Sequence, residues 1–295
     1  MQVLQEEKKQ IVPQEKQKKI RIGNQTAISS KTVWQPFEYA ISKGFDAFEW
    51  FPDKFNTGLL QKIQYKCIGW KEKDIAQEER KRIKETAIEK DMTLSVHVPL
   101  SSTVFDQEGH QRLESSIEFA RDIGAIVLNT HLEKEKGISR FFDAAIPIWK
   151  KALEAQLSVA VENTPGDPPE AMNELFDLLE KADFPGKEKI GMCLDLGHAN
   201  LYPTSNDCWQ FIDRLSPKVK IIHVHAHENH GKHDQHLPVF TGPSTKDNGV
   251  GIKGILSRLV KRGFQGMMIM EQWPEPVSLL DDSRNKLLAC LKEMV

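Results

Sequence analysis

The sequence predicts an α/β chain folded as a single (β/α)8 barrel, and three observations carry that prediction. Short apolar runs alternate with amphipathic stretches from Ile20 to the C-terminus, in eight successive pairs. The runs are apolar on both faces, as strands are when helices cover both sides of a parallel sheet. The chain of 295 residues, 39% of them hydrophobic, can bury a substantial core within one barrel domain. An open doubly wound sheet is the alternative. It is weakened because no strand-to-helix turn carries a GxGxxG or GxxxxGK(S/T) phosphate loop.

Residues 1–19 are polar, mixed in charge and interrupted by Pro13, which predicts a flexible N-terminal arm ahead of a barrel spanning residues 20–295. The first strand, "IRIGN", precedes the helical stretch "VWQPFEYAISKG", where Gly44 stands at the position of a C-cap. The second, "FDAFEWF", is followed by a long connection containing Trp70 and then the charged helix "IAQEERKRIKETAIEK". "TLSVHVPL" leads to "RLESSIEFARDIG", in which Leu113, Ile117 and Ala120 share one face. "AIVLNTHLE" leads to "FFDAAIPIWKKALEAQ", with Pro147 expected to kink or break it. "LSVAVENTPGDPP" supplies two prolines at the start of "EAMNELFDLLEKA". "KIGMCLDLGHANL" precedes "DCWQFIDRL", and "IIHVHAHENHGKHDQHL" precedes "IKGILSRLVKRG". The eighth pair is "GMMIMEQW" with "SLLDDSRNKLLACLKEM".

Charge and cysteine content narrow the partners. A formal net charge of -2 gives no overall attraction for a polyanion, so nucleic acid is not expected. The four cysteines are widely spaced, with no CxxC pair and no secretory leader before them, which predicts reduced thiols in a cytoplasmic protein. No apolar run approaches the roughly 20 residues of a membrane span.

The strand ends carry the chemistry. Glu49, His97, His131, Glu162, Asp195, His225 and Glu271 fall at the C-terminal ends of the second to eighth strands, one on each. In a closed barrel those ends converge on one mouth, where active sites of this architecture lie. Any one of them alone reads as a paired core residue. Seven together do not, because ionisable groups are costly to bury without ligands or partners. The seventh run, residues 221–237, holds six of the ten histidines. Mixed carboxylates and imidazoles suit a divalent transition metal, zinc or manganese first. Cys193 is read as packing, two residues deeper than Asp195 on the same face.

The ordered motifs "SVHVP", "NTHLE", "VENTPGD", "CLDLGHA", "HAHENHGKHDQHLP" and "IMEQW" together resemble the xylose-isomerase-like TIM-barrel superfamily, which includes sugar and sugar phosphate isomerases and epimerases and the endonuclease IV repair enzymes. The resemblance implies a single metal held by Glu162, Asp195, His225 and Glu271, with the two glutamates passing a proton to and from the carbon beside a carbonyl while the metal stabilises the enediolate. It makes His198 a further substrate or metal contact. One departure stands out: the arginine that epimerases place six residues beyond the metal-binding histidine is Gly231 here. Conversely, all nine ligands of the trinuclear zinc site of endonuclease IV have counterparts: His97, His131, Glu162, Asp195, His198, His225, Asp234, His236 and Glu271. The segments with which those enzymes enter DNA match poorly, as in the "VPLSSTVFDQEG" loop after His97.

The expectation is therefore a metal-dependent isomerase or epimerase acting on a small sugar, sugar phosphate or polyol. The catalytic pair is Glu162 and Glu271, and one divalent ion is expected, with up to three accommodated. His97, His131, His198, Asp234 and His236 are additional candidates for metal or substrate. Glu49, Trp34, Trp50, Trp70 and Trp273 are candidate pocket walls, since aromatic faces pack on sugar C–H surfaces. The alternative is an endonuclease IV-like zinc phosphodiesterase.

Overall fold

The protein is described from a computed structural model that covers residues 20–27, 30–54, 69–201, 208–243 and 251–294. The expected arm, residues 1–19, lies outside the described residues, as does Cys67. Eight strands run in chain order: β1 Arg21–Gln25, β2 Ala47–Trp50, β3 Thr93–His97, β4 Val127–His131, β5 Ser158–Glu162, β6 Ile190–Asp195, β7 Ile221–Ala226 and β8 Met267–Met270. Each pairs in parallel with the next, and β1 also pairs with β8, so the sheet closes into a barrel. Closure leaves no strand edge to solvent.

Helices alternate with the strands for reasons visible in their ends. Gln35–Lys43 begins with Pro36, whose missing N–H costs nothing in a first turn, and stops at Gly44 with φ 65. Gln107–Ile123 is capped by the Asp106 carboxylate, which accepts from the Gly109 N–H, and it buries Leu113, Ile117 and Ala120. The helix Ile138–Glu154 runs through Pro147 without the break its sequence suggests. Burial of Phe141, Phe142, Ala145, Ile148 and Trp149 on one face outweighs the roughly 3 kcal/mol that an interior proline costs. Among the described residues, no helix is long and apolar enough to cross a membrane.

Two cores follow from the period of the strands. Inside the barrel a small cluster of Ala47, Val127, Ala160, Cys193, Met267 and Ile269 fills the floor. Between strands and helices lies the large core, to which β2 sends Phe48 and Trp50. Alternation along β2 therefore turns Ala47 and Glu49 inward and the two aromatics outward. Close approach of β1 to β2 requires Gly23, because a Cβ there would stand 2.3 Å from the Ala47 carbonyl oxygen.

Trp50 centres an aromatic cluster in that outer core. Its ring meets Trp34 and Trp70 edge-on, each at 5.7 Å between centroids, and packs on Phe37, Phe48 and Phe119 as well. This corrects the expectation that Trp50 and Trp70 wall the pocket: both are buried behind the sheet. Trp34 lies with them, beneath the Arg82 guanidinium. Of the four tryptophans, Trp273 lines the cavity at the mouth. Trp50→Ala should lower unfolding stability by about 3–5 kcal/mol, read from urea midpoints, because it empties a large fully buried site. Replacement of the exposed Ile126 by Ser should leave the midpoint within about 0.5 kcal/mol of the parent.

Candidate metal centre

The C-terminal ends of the strands open into a cavity of about 550 Å³ whose lining includes Gln25, Phe51, His97, His131, Glu162, His198, Asp234, His236, Glu271 and Trp273. Strand register brings the side chains there. His131 stands opposite Glu162 across β4 and β5, and Asp195 opposite His225 across β6 and β7. Glu271 follows the last residue of β8 directly. Two asparagines fix the carboxylates: Asn129 Nδ2 donates to Glu162 Oε2, and Asn163 exchanges two hydrogen bonds of 2.9 and 3.0 Å with the Asp195 backbone.

Glu162 is the centre of the cluster. Its Oε2 lies 3.3 Å from His97 Nε2, 3.4 Å from His225 Nδ1 and 3.9 Å from His131 Nε2, and its Oε1 lies 3.3 Å from His198 Nδ1. His225 Nδ1 also faces Asp195 Oδ2 at 3.7 Å and Glu271 Oε2 at 3.6 Å. A second group sits nearer the rim, where Asp234 Oδ2 is 2.9 Å from His236 Nε2 and 3.3 Å from His198 Nε2. All nine residues matched to the multinuclear pattern thus gather in one mouth. Glu49 does not line the cavity; it lies beneath it, fully buried against His223, His225 and Ser95, which corrects its assignment as a wall.

Several features show that these residues suit a cation. Among the described residues, His225 Nδ1 and Glu271 Oε2 are buried polar atoms without a hydrogen-bond partner. His225 Nδ1 lies 3.4, 3.7 and 3.6 Å from carboxylate oxygens of Glu162, Asp195 and Glu271, each near the edge of about 3.4 Å expected for tetrahedral zinc with ligands near 2.1 Å. Three imidazoles have their tautomers set by backbone carbonyls. His97 Nδ1 donates to Val98 O at 2.6 Å, His198 Nδ1 to Asn163 O at 2.9 Å and His236 Nδ1 to Glu271 O at 2.8 Å. Since a carbonyl only accepts, each Nδ1 carries a proton, and Nε2 is the nitrogen that faces a carboxylate and would give up its proton to a metal. Glu162, Asp195, His225 and Glu271 could hold one ion, with His97 and His131 or His198, Asp234 and His236 able to hold others.

Charge is balanced by pairing. Burial alone would raise Glu162, but His225, His198 and His97 around it hold the carboxyl well below the usual range. Asp195 is likewise held low against burial by His198 and His227. Glu271 goes the other way: burial pushes it up, and the Asp195 and Glu162 charges add to the rise against the pull of His225 and His236. Burial brings His131 down to about 4, while His236, despite burial, is held up at about 9 by Asp234 and Glu271. The His236 backbone adopts φ 46, an uncommon conformation for a non-glycine residue, kept in place by the ring's bonds to Asp234 and Glu271 O.

Sequence reasoning passed over His227 and His223. His227 Nε2 donates to Asp195 Oδ2 at 3.0 Å, and its ring stacks on His236 with centroids 4.0 Å apart. Gly197 makes room for it, since a Cβ there would fall 1.9 Å from His227 Cε1. The signal was present as the period of two in "HVHAH", which puts residues 223, 225 and 227 on one face.

The likeness to solved structures is one of fold. A D-tagatose 3-epimerase-like protein superposes with a TM-score of 0.68 at 20% identity, covering 93% of this chain and 98% of that one. A D-psicose 3-epimerase crystallised in the presence of D-fructose superposes with a TM-score of 0.66 at 13% identity, covering 93% and 99%. In sequence, an uncharacterized protein of Methanocaldococcus jannaschii is 28% identical over 137 residues, which span 44% of this chain and only 42% of that relative. The sequence model of the xylose isomerase-like TIM barrel matches residues 37–293, and the chain belongs to that family.

Proposed function

We propose that the protein is a metal-dependent isomerase or epimerase acting on a small sugar, sugar phosphate or polyol. The observation that carries this reading is the pair Glu162 and Glu271. Both line one cavity and flank His225 Nδ1 at 3.4 and 3.6 Å, and their surroundings push their proton affinities apart. A pair of carboxyls so divided provides an acceptor and a donor in one site. Glu162, kept ionised, takes a proton from the carbon beside a substrate carbonyl. Glu271, more readily protonated, returns one through Oε2. A divalent ion bound by Glu162, Asp195, His225 and Glu271 would supply Lewis-acid polarisation of that carbonyl. Trp273 and Phe51 offer apolar faces to the carbon skeleton, and the cavity is of a size that suits a monosaccharide. The epimerases among the structural relatives support the reading.

A second reading is favoured by the rim group. His198, Asp234 and His236 converge as the endonuclease IV pattern requires, and a site with three ions would be built to activate water on a phosphodiester. Substrate separates the two. Solvent hydrogen should exchange into a ketose at the carbon beside the carbonyl, and abasic-site duplex should stay intact. Three bound zinc ions and a nicked strand would establish the second reading instead.

Replacing either catalytic glutamate tests the pair. Glu162→Gln and Glu271→Gln should each lower turnover by about 10²–10⁴-fold, since an amide cannot exchange the proton. Metal content measured alongside separates lost chemistry from a lost ion, and a fully active variant would remove that residue from the mechanism.

Metal uptake should also be linked to pH. In the metal-free site, burial lowers the proton affinity of His225 and His198, but the carboxylates around them hold both well above the ordinary histidine value. Both rings, and His236 at about 9, therefore carry protons at pH 7 that an incoming ion must displace. Affinity should rise as pH increases from 6 toward 9, with net proton release of about one or more per ion at pH 7. Calorimetry in two buffers of different ionisation enthalpy reads that number, and proton-neutral binding would contradict the assignment of these rings as ligands.

A further inference from the structure

We infer that Glu49 is a positioning residue of the metal centre: its buried carboxylate accepts the Nε2 proton of His225 and so presents His225 Nδ1 to the ion between Glu162, Asp195 and Glu271. The assignment rests on the metal reading above and adds to it the group that makes His225 a ligand.

The other mouth histidines define what His225 lacks. His97, His198 and His236 each anchor Nδ1 on a backbone carbonyl and turn Nε2 toward the carboxylates. His225 is reversed, with Nδ1 toward Glu162, Asp195 and Glu271. Among the described residues, its Nε2 meets no carbonyl. The atom in that place is Glu49 Oε1, 2.9 Å away. The approach is oblique, and neither Glu49 Oε1 nor His225 Nε2 has a hydrogen-bond partner among the described residues, so a small turn of the ring aligns each with the one acceptor or donor beside it.

The carboxylate itself is held from the other side. Its Oε2 accepts from Ser95 Oγ at 2.8 Å and from His223 Nε2 at 2.8 Å, and Ser95 is the register partner of Glu49 across β2 and β3. Three donors converge on a fully buried anion that is not itself part of the cavity lining. A buried carboxylate is expensive unless it is paired, and Glu49 spends its pairing on the two imidazoles of β7. An anionic acceptor behind a ligating imidazole fixes the tautomer and strengthens the nitrogen that faces the metal, which a neutral carbonyl does less well.

The test uses the full chain labelled with ¹⁵N-histidine and loaded with zinc. In the wild type, the His225 resonances should show zinc on Nδ1 and a proton on Nε2; zinc on Nε2 would overturn the assignment. Glu49→Leu removes both acceptor oxygens at similar volume and should lower zinc affinity about 10- to 100-fold, with Glu49→Gln lowering it less because one oxygen remains. Zinc affinity equal to wild type in a folded Glu49→Leu protein would overturn the proposal. If that variant fails to fold, a Glu49→Gln protein with unchanged affinity has the same consequence, and the tautomer of the wild type decides independently of either. A wild-type protein that takes up no zinc would sink the metal reading and this assignment together, whereas zinc bound without regard to Glu49 would sink this one alone.

Discussion

The constraint on which the site depends is the burial of three carboxylates, Glu49, Glu162 and Asp195, inside one end of a closed barrel. Three such charges so close together would not be tolerated alone, because desolvation and mutual repulsion both oppose them. The imidazoles of His97, His198, His223, His225 and His227 make the arrangement possible, each within reach of at least one of these oxygens. A divalent ion would do the same more directly, replacing several partial pairings with one shared charge. Stability and ligand binding are therefore two uses of one set of interactions.

The scaffold keeps these groups apart as carefully as it brings them together. Asn163 ties the end of β5 to that of β6, and Gly197 leaves the space in which His227 backs Asp195. Loop carboxylates do similar work around the rim. Glu133 accepts from Val104 N, Asp167 pairs with Lys134, and Glu228 accepts from Phe240 N and Gly242 N, so the segments that follow β3, β4 and β5 are tied to one another and the segment after β7 is tied back on itself. Such fastening is what a site held within fractions of an ångström requires.

Membership of the xylose isomerase-like TIM barrel family joins this chain to a fold on which different chemistries are built at the same mouth. The distinction between them here lies in the depth of the groups. The inner set lies around His225 Nδ1 and includes two glutamates of opposed proton affinity. The outer set, His198, Asp234 and His236, is nearer solvent, and the backbone at His236, with φ 46, adjoins the bridge between Glu228 and Leu237. The isomerase or epimerase chemistry proposed above would draw on the inner set alone.

The sequence by itself determined the barrel, because short runs apolar on both faces, alternating eight times with amphipathic helical stretches, leave few alternatives. It also placed Glu162, Asp195, His225 and Glu271 at strand ends, since position along a strand is a matter of counting. Face and depth were another matter. Alternation says that Glu49 and Trp50 point to opposite sides of β2, but strand-end position alone suggested both for the pocket, and only closure of the sheet shows Glu49 beneath the cavity and Trp50 behind the barrel wall. The continuous helix through Pro147 needed the packing of its buried face to outweigh a local rule. Which nitrogen of each histidine faces the carboxylates could not be read from residue order at all, because it depends on acceptors such as Val98 O and Asn163 O, and in the case of His225 on Glu49, 176 positions earlier and three strands away around the closed sheet.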